Sequence, residues 1–141
     1  MTKIKCCGLS REEDIAAVND LGVDYAGFVF VPESKRYVTP QRARTLKEKL
    51  ADHVVAVGVF VDEDAQRVAG LIDEGIIDMA QLHGHEDNAY IRKLRSLTDA
   101  PIIQAFVIAS NQDVARAQAS DADYVLLDAG RGHGQTFDWR L

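Results

Sequence analysis

Short apolar, β-rich runs alternate with stretches of helical period along the chain. Residues 4–7 read as a first strand. Ser10, with Glu13 three residues on, reads as a capping box opening a helix. Its apolar positions are Ile15, Val18 and Leu21, and Gly22 suits its end. Residues 25–31 form a second strand. Thr39-Pro40 starts the next helix, with threonine as N-cap and proline at the first helical position. Ala43, Leu46 and Leu50 give that helix one apolar face. Residues 54–61 are a continuous apolar run, the pattern of a strand covered on both sides. A helix through Val68, Leu71 and Ile72 ends near Gly75. Strand four is 78–83, backed by Tyr90, Ile91 and Leu94. Strand five is 102–107. Ser110 with Asp113 opens a helix holding Val114 and Ala117, and strand six is 124–128. A loop over 129–136 and a short end follow.

This βα alternation predicts a parallel sheet with right-handed crossovers. An open doubly wound sheet and an arc of a barrel both satisfy it. No repeat of short period, low-complexity segment or linker interrupts the pattern, so residues 1–141 are expected to form a single domain.

The apolar share of 47% is ordinary for a globular protein. A formal net charge of -6 argues against nucleic-acid binding, which needs a basic surface. It leaves room for a small anionic substrate held by a few local cations. No apolar stretch approaches the ~20 residues of a membrane span, and MTKIKCCGLSREED lacks the features of a signal peptide. Cys6 and Cys7 are adjacent, which excludes a disulfide framework. Reduced thiols fit a cytoplasmic location.

In parallel α/β folds the chemistry sits at the C-terminal strand ends. Those ends supply Cys6-Cys7-Gly8, then 32–37 with Arg36, then Asp62-Glu63. They continue with Gln81-Leu-His83-Gly-His85, Gln104 and Phe106, and Asp128 before a glycine-rich loop at 130–134. A thiol and a carboxylate on one rim can work as base and acid. Each residue also has a plainer reading. A cysteine near a strand end is often a small buried hydrophobe, and a Lys-Arg pair is often solvated. Asp128 ends an apolar run, where an unpaired carboxylate is costly. Strand side chains alternate, so only one of Cys6 and Cys7 can face a barrel interior. His83 and His85 are too few for a metal site, and no metal is expected. The glycines at 130–134 lack the helix spacing of a dinucleotide fingerprint and read as a mobile loop.

Lys5-Cys6-Cys7-Gly8-Leu9, Gly27-Phe-Val-Phe30, Ser34-Lys-Arg-Tyr37, Val57-Gly-Val-Phe-Val61, Gln81-Leu-His-Gly84, Leu127-Asp128 and Gly134-Gln-Thr-Phe-Asp-Trp139 occur in this order. Together, from end to end of the chain, they closely resemble the phosphoribosylanthranilate isomerase family of tryptophan biosynthesis. The resemblance implies a (βα)8 TIM-type barrel, here with six parallel strands and intervening helices. It implies an Amadori rearrangement of N-(5-phosphoribosyl)anthranilate to 1-(2-carboxyphenylamino)-1-deoxyribulose 5-phosphate, with no cofactor. Cys7 matches the family's general base and Asp128 its general acid. Arg36 matches the residue that meets the anthranilate carboxylate, a task suited to its bidentate fork. Gln81 and His83 are expected to line the substrate pocket. Position 6 is usually a bulky aliphatic in this family, and Cys6 is expected to face the helices.

The family pattern continues past Trp139 with two further βα units, where the phosphate is commonly held. A six-stranded arc therefore implies weak turnover by this chain alone and open edges able to self-associate. The competing readings are an inert association module and a doubly wound domain with a surface aspartate. The latter needs an acidic cluster where Cys6-Cys7 stand.

Overall fold

The computed structural model describes residues 1–130, 136 and 138–140. Strands β1 (Lys5–Cys7), β2 (Tyr25–Val29), β3 (Val55–Phe60), β4 (Met79–Leu82), β5 (Ile102–Val107) and β6 (Tyr124–Asp128) alternate with five helices. These are α1 (Glu12–Leu21), α2 (Pro40–Lys47), α3 (Ala65–Asp73), α4 (Asn88–Arg95) and α5 (Asn111–Gln118). All strand pairs are parallel, and the spatial order is β1-β2-β3-β4-β5-β6. A doubly wound sheet reverses its order at a switch point. This sheet never does, so it is an arc of a barrel.

The two-residue pleat splits the core into two layers. On the outer face, Ala26, Phe28, Ala56, Phe60, Ala80, Leu82 and Ile102 pack against Ile15 and Val18 of α1, Leu46 of α2, Val68 of α3 and Leu94 of α4. Each fully buried large side chain there contributes about 1.5–3 kcal/mol. On the inner face, Val57, Met79 and Ile103 pack with Tyr25, Val55 and Leu126. Cys6 packs against the outer layer, as expected.

Strand ends fall one or two residues inside several expected spans, the usual scatter of boundaries. The expected Ser10–Glu13 capping box does not form. The helix begins at Glu12, which puts Asp14 at its third position, and the Asp14 carboxylate accepts from the N–H groups of Ser10 and Arg11 at 3.1 and 3.0 Å. The Arg11 side chain, with those two N–H groups, holds the Asp14 carboxyl down at about 2. Thr39 and Ser110 do cap their helices, accepting from Arg42 and Asp113.

Three aspartates recur at the same place in the fold. Asp24, Asp78 and Asp123 each stand one residue before an even-numbered strand. Their carboxylates accept from the N–H groups of Ile4, Ala56 and Ile102 at 2.7–2.9 Å. Each aspartate thereby pins the start of the strand that precedes it. Burial opposes the charge on Asp123, but the Ile102 N–H and Arg95 outweigh it and hold its pKa below the usual carboxylate value.

The outer face of β6 leaves Val125 and Leu127 exposed, and among the described residues no helix covers them. No described helix is long and apolar enough to cross a membrane.

Asp123→Ala strands the buried Ile102 N–H and is expected to lower unfolding free energy by about 1–2 kcal/mol in urea titrations at neutral pH. Because the folded pKa is depressed, that difference should shrink as pH falls through it.

Candidate active site

Cys7 ends β1 on the inner face and pairs in register with Gly27 of β2. A Cβ on Gly27 would lie 2.8 Å from the Cys7 sulfur and 3.1 Å from its Cα, so the glycine makes room for the thiol. Gly8, next along, turns the chain with φ +83. A side chain there would meet Arg36, whose Cδ would be 2.5 Å away. Arg36 reaches this place from the β2–α2 loop. Ser34 Oγ accepts the Arg36 N–H at 3.1 Å, Tyr37 N–H donates to the Ser34 carbonyl, and Tyr37 bridges to Val29. This folded loop lays the guanidinium over β1, with Nη1 3.4 Å from the Cys7 carbonyl oxygen.

Across the arc, Gln81 and His83 share the inner face of β4 and its end. Gln81 is buried, 3% exposed. Its Nε2 lies 3.4 Å from His83 Nδ1, and His83 Nε2 lies 3.1 Å from Oδ2 of Asp128 at the end of β6. Cys7, Arg36, Gln81, His83 and Asp128 all line one cavity of about 430 Å³. All five site residues expected from the sequence are therefore brought together. Lys5 and Ser34 line it too and were missed. Lys5 was legible, since it lies two residues before Cys7 and must share its face.

The other strand-end residues do different work. Gln104 and Phe106 were expected on the rim, but their parity puts them on the helix side. Gln104 donates to the Glu86 carbonyl at 2.6 Å and accepts from the Ser120 hydroxyl. His83 and His85 do not form a chelating pair. His83 turns to Asp128, whereas the exposed His85 ring pairs with Asp62 Oδ2 at 2.9 Å. Asp62 Oδ1 also accepts the His85 N–H, and Glu86 accepts from the N–H groups of Asp62 and Gly84 at 2.8 Å each. The loops after β3 and β4 are thus clasped by two carboxylates, which steadies the end of β4 where His83 stands. Among the described residues no three His, Cys, Asp or Glu side chains group to hold a metal. A larger depression of about 700 Å³ extends from His83 past Glu86, Asn88, Gln104 and Ser120. Its polar groups mostly partner one another, and it lacks a thiol. The glycine-rich loop beyond Gly130, and Phe137 of the last motif, lie outside the described residues.

A sequence model of N-(5'phosphoribosyl)anthranilate (PRA) isomerase matches residues 4–141. An N-(5'-phosphoribosyl)anthranilate isomerase of Bacillus cereus is 38% identical over 144 residues, covering 99% of this chain and 68% of that protein. The crystal structure of phosphoribosyl anthranilate isomerase from Thermotoga maritima superposes with a TM-score of 0.87 at 33% identity, over 99% of this chain and 69% of that one. Another solved structure of this enzyme, in complex with reduced 1-(o-carboxyphenylamino)-1-deoxyribulose 5-phosphate, matches with a TM-score of 0.83 at 33% identity. It covers 91% of this chain and 65% of the other.

The Asp62 hydrogen bond raises the His85 pKa above 6.5, and the His85 hydrogen bond lowers that of Asp62 below 3.8. A raised histidine stabilises the fold below its unfolded pKa and loses that effect as pH rises through the folded value. A depressed aspartate loses its effect as pH falls through its own folded value. The clasp is therefore strongest between the two. NMR titration of the His85 ring should give a midpoint above 6.5 that falls in Asp62→Asn and at high salt.

Proposed function

The chain belongs to the N-(5'-phosphoribosyl)anthranilate isomerase family, and from that membership we propose how its own side chains divide the reaction. It is an isomerase of tryptophan biosynthesis that carries out the Amadori rearrangement of N-(5-phosphoribosyl)anthranilate. Asp128 acts as general acid. It gives its proton to the ribose ring oxygen as the C1–O bond breaks. The bond's electrons stay on oxygen, and the aniline nitrogen lone pair forms a C1=N bond. Cys7 acts as general base and takes the proton from C2. The C2–H electrons form C1=C2, the C1=N electrons return to nitrogen, and the enol ketonises to the aminoketose as its C2 hydroxyl loses a proton and C1 gains one. Exchange with solvent then removes the proton from Cys7 and restores that of Asp128. Arg36 meets the anthranilate carboxylate through its planar fork. Gln81 and His83 line the wall between acid and base.

The observation that carries this reading is convergence. Cys7, Arg36 and Asp128 come from a strand end, a loop and a distant strand end, and they line one cavity. An acid and a base facing one space is what a proton-transfer isomerase needs. The ligand is a phosphorylated sugar joined to anthranilate, like the product analogue in the related complex. No step requires a metal or an organic cofactor.

Cys7→Ala and Asp128→Asn are each expected to lower kcat by about 10²- to 10⁴-fold in a fluorescence assay of anthranilate-sugar turnover. Arg36→Lys should raise KM and change kcat less, because the bidentate contact is lost. A Cys7→Ala variant at the parent rate would sink the assignment.

The exposed apolar side chains of Tyr124, Val125 and Leu127 on β6 support association with a second copy. Light scattering of the chain is expected to give a mass above one copy at micromolar concentration. A monomer at every concentration would count against it.

A further inference from the structure

We infer that Gln81 and His83 are positioning residues for Asp128: the Gln81 amide fixes the ring tautomer of His83, and His83 fixes one carboxyl oxygen of the acid. This rests on the reading of Asp128 as the general acid and reassigns the two residues expected to bind substrate.

The atoms order the protons. An amide nitrogen only donates, so Gln81 Nε2, 3.4 Å from Nδ1, makes that ring nitrogen the acceptor. The ring hydrogen then sits on Nε2, 3.1 Å from Asp128 Oδ2, and is donated there. Turning the amide over would put the hydrogen on Nδ1 and leave a bare Nε2, an acceptor that takes the Asp128 proton to itself and away from the substrate. One oxygen of Asp128 is thereby anchored to the wall, and Oδ1 is left for the substrate.

The burial of Gln81 argues that the amide is there for this bond. Its Oε1 is fully buried and has no hydrogen-bond partner among the described residues. A residue selected for packing would be an apolar one of the same volume, without a stranded acceptor. Neighbouring inner-face positions are filled in that way by Val57, Met79 and Ile103.

The chain of bonds also acts on the reaction. When Oδ1 passes its proton to the ring oxygen, negative charge spreads onto Oδ2. The Nε2–H bond becomes charge-assisted at that moment and is stronger than in the ground state. A bond that strengthens along the reaction raises kcat and leaves KM nearly unchanged. Lys5, Cys7 and Arg36 are the other titratable or charged groups lining this cavity. His85, Glu86, Asp87 and Arg116 lie along the adjoining depression. The tautomer readout below is therefore taken at fixed pH.

The test is a kinetic cycle with a spectroscopic arm. His83→Ala is expected to lower kcat about 10- to 100-fold, with KM held within about 3-fold. His83→Gln, which restores a donor, should recover part of the loss. In an Asp128→Asn background, His83→Ala should cost little more, because it acts through Asp128. Nitrogen-15 spectra of the parent should show the His83 hydrogen on Nε2, and Gln81→Leu should mix the tautomers. The inference is overturned if KM rises while kcat holds, if the loss is undiminished without Asp128, or if the parent ring carries its hydrogen on Nδ1. Should His83→Ala fail to fold by circular dichroism, His83→Gln and the parent spectrum decide. Failure of the underlying reading shows separately, as Cys7→Ala and Asp128→Asn retaining the parent rate.

Discussion

Each strand of this sheet has two different neighbours, and the two-residue pleat is what lets one short sequence serve both. Odd and even positions of β1 illustrate it. Cys6 packs towards the helices, while Lys5 and Cys7 line the cavity. The same split runs through β4, where Ala80 and Leu82 pack outward and Met79, Gln81 and His83 face in. A one-residue slip in any strand would exchange these sets and put polar groups under the helices. The aspartates before β2, β4 and β6 hold the strands against such a slip, since each grips one backbone N–H in or just before the preceding strand. Register at the bottom of the arc therefore fixes which atoms meet at its top.

This constraint explains what could be read from the sequence. The element order, the parallel sheet and the five site residues were legible because they depend on periodicity and on strand ends. Thr39-Pro40 and Ser110 announced their helices by local chemistry alone. The sequence misleads wherever a single residue of phase matters. Ser10 with Glu13 has the pattern of a helix start, but a start one residue later gives the capping role to Asp14. Gln104 lies near a strand end, yet its parity within β5 turns it away from the rim towards Glu86 and Ser120. Side-chain partnerships across many residues were not legible at all. Nothing local in Asp62 says that it will clasp His85, and nothing in Gln81 says that it will sit under a histidine that reaches Asp128.

The glycines around the thiol belong to the same logic. Gly27 is the cross-strand neighbour of Cys7, and Gly8 lies beneath Arg36. Neither is required by a turn signal that the sequence displays. Both are spaces kept empty so that a sulfur and a guanidinium can occupy them. The Ser34 turn then sets the direction from which the guanidinium arrives. Proximity of thiol and guanidinium is thus built from backbone, where it is least free to drift.

An acidic chain that takes a substrate with two anionic groups presents an apparent conflict, and the rim resolves it through hydrogen bonding. Asp62 and Glu86 lie close to the cavity, but their oxygens are held by the backbone N–H groups of His85, Asp62 and Gly84. Asp64 and Asp87 accept from helix N-termini, where the peptide dipoles offset negative charge. The acidic surplus close to the site is therefore compensated by peptide groups. Within the cavity the charged lining is Lys5, Arg36 and Asp128. Two cations, beside a single acidic side chain that is tied to His83, leave a local field that favours an anion inside a molecule whose net charge is -6. Bulk charge thus excluded a nucleic-acid partner and said nothing against this substrate, because recognition over a few ångströms depends on the groups that face the cavity and on what already neutralises the rest.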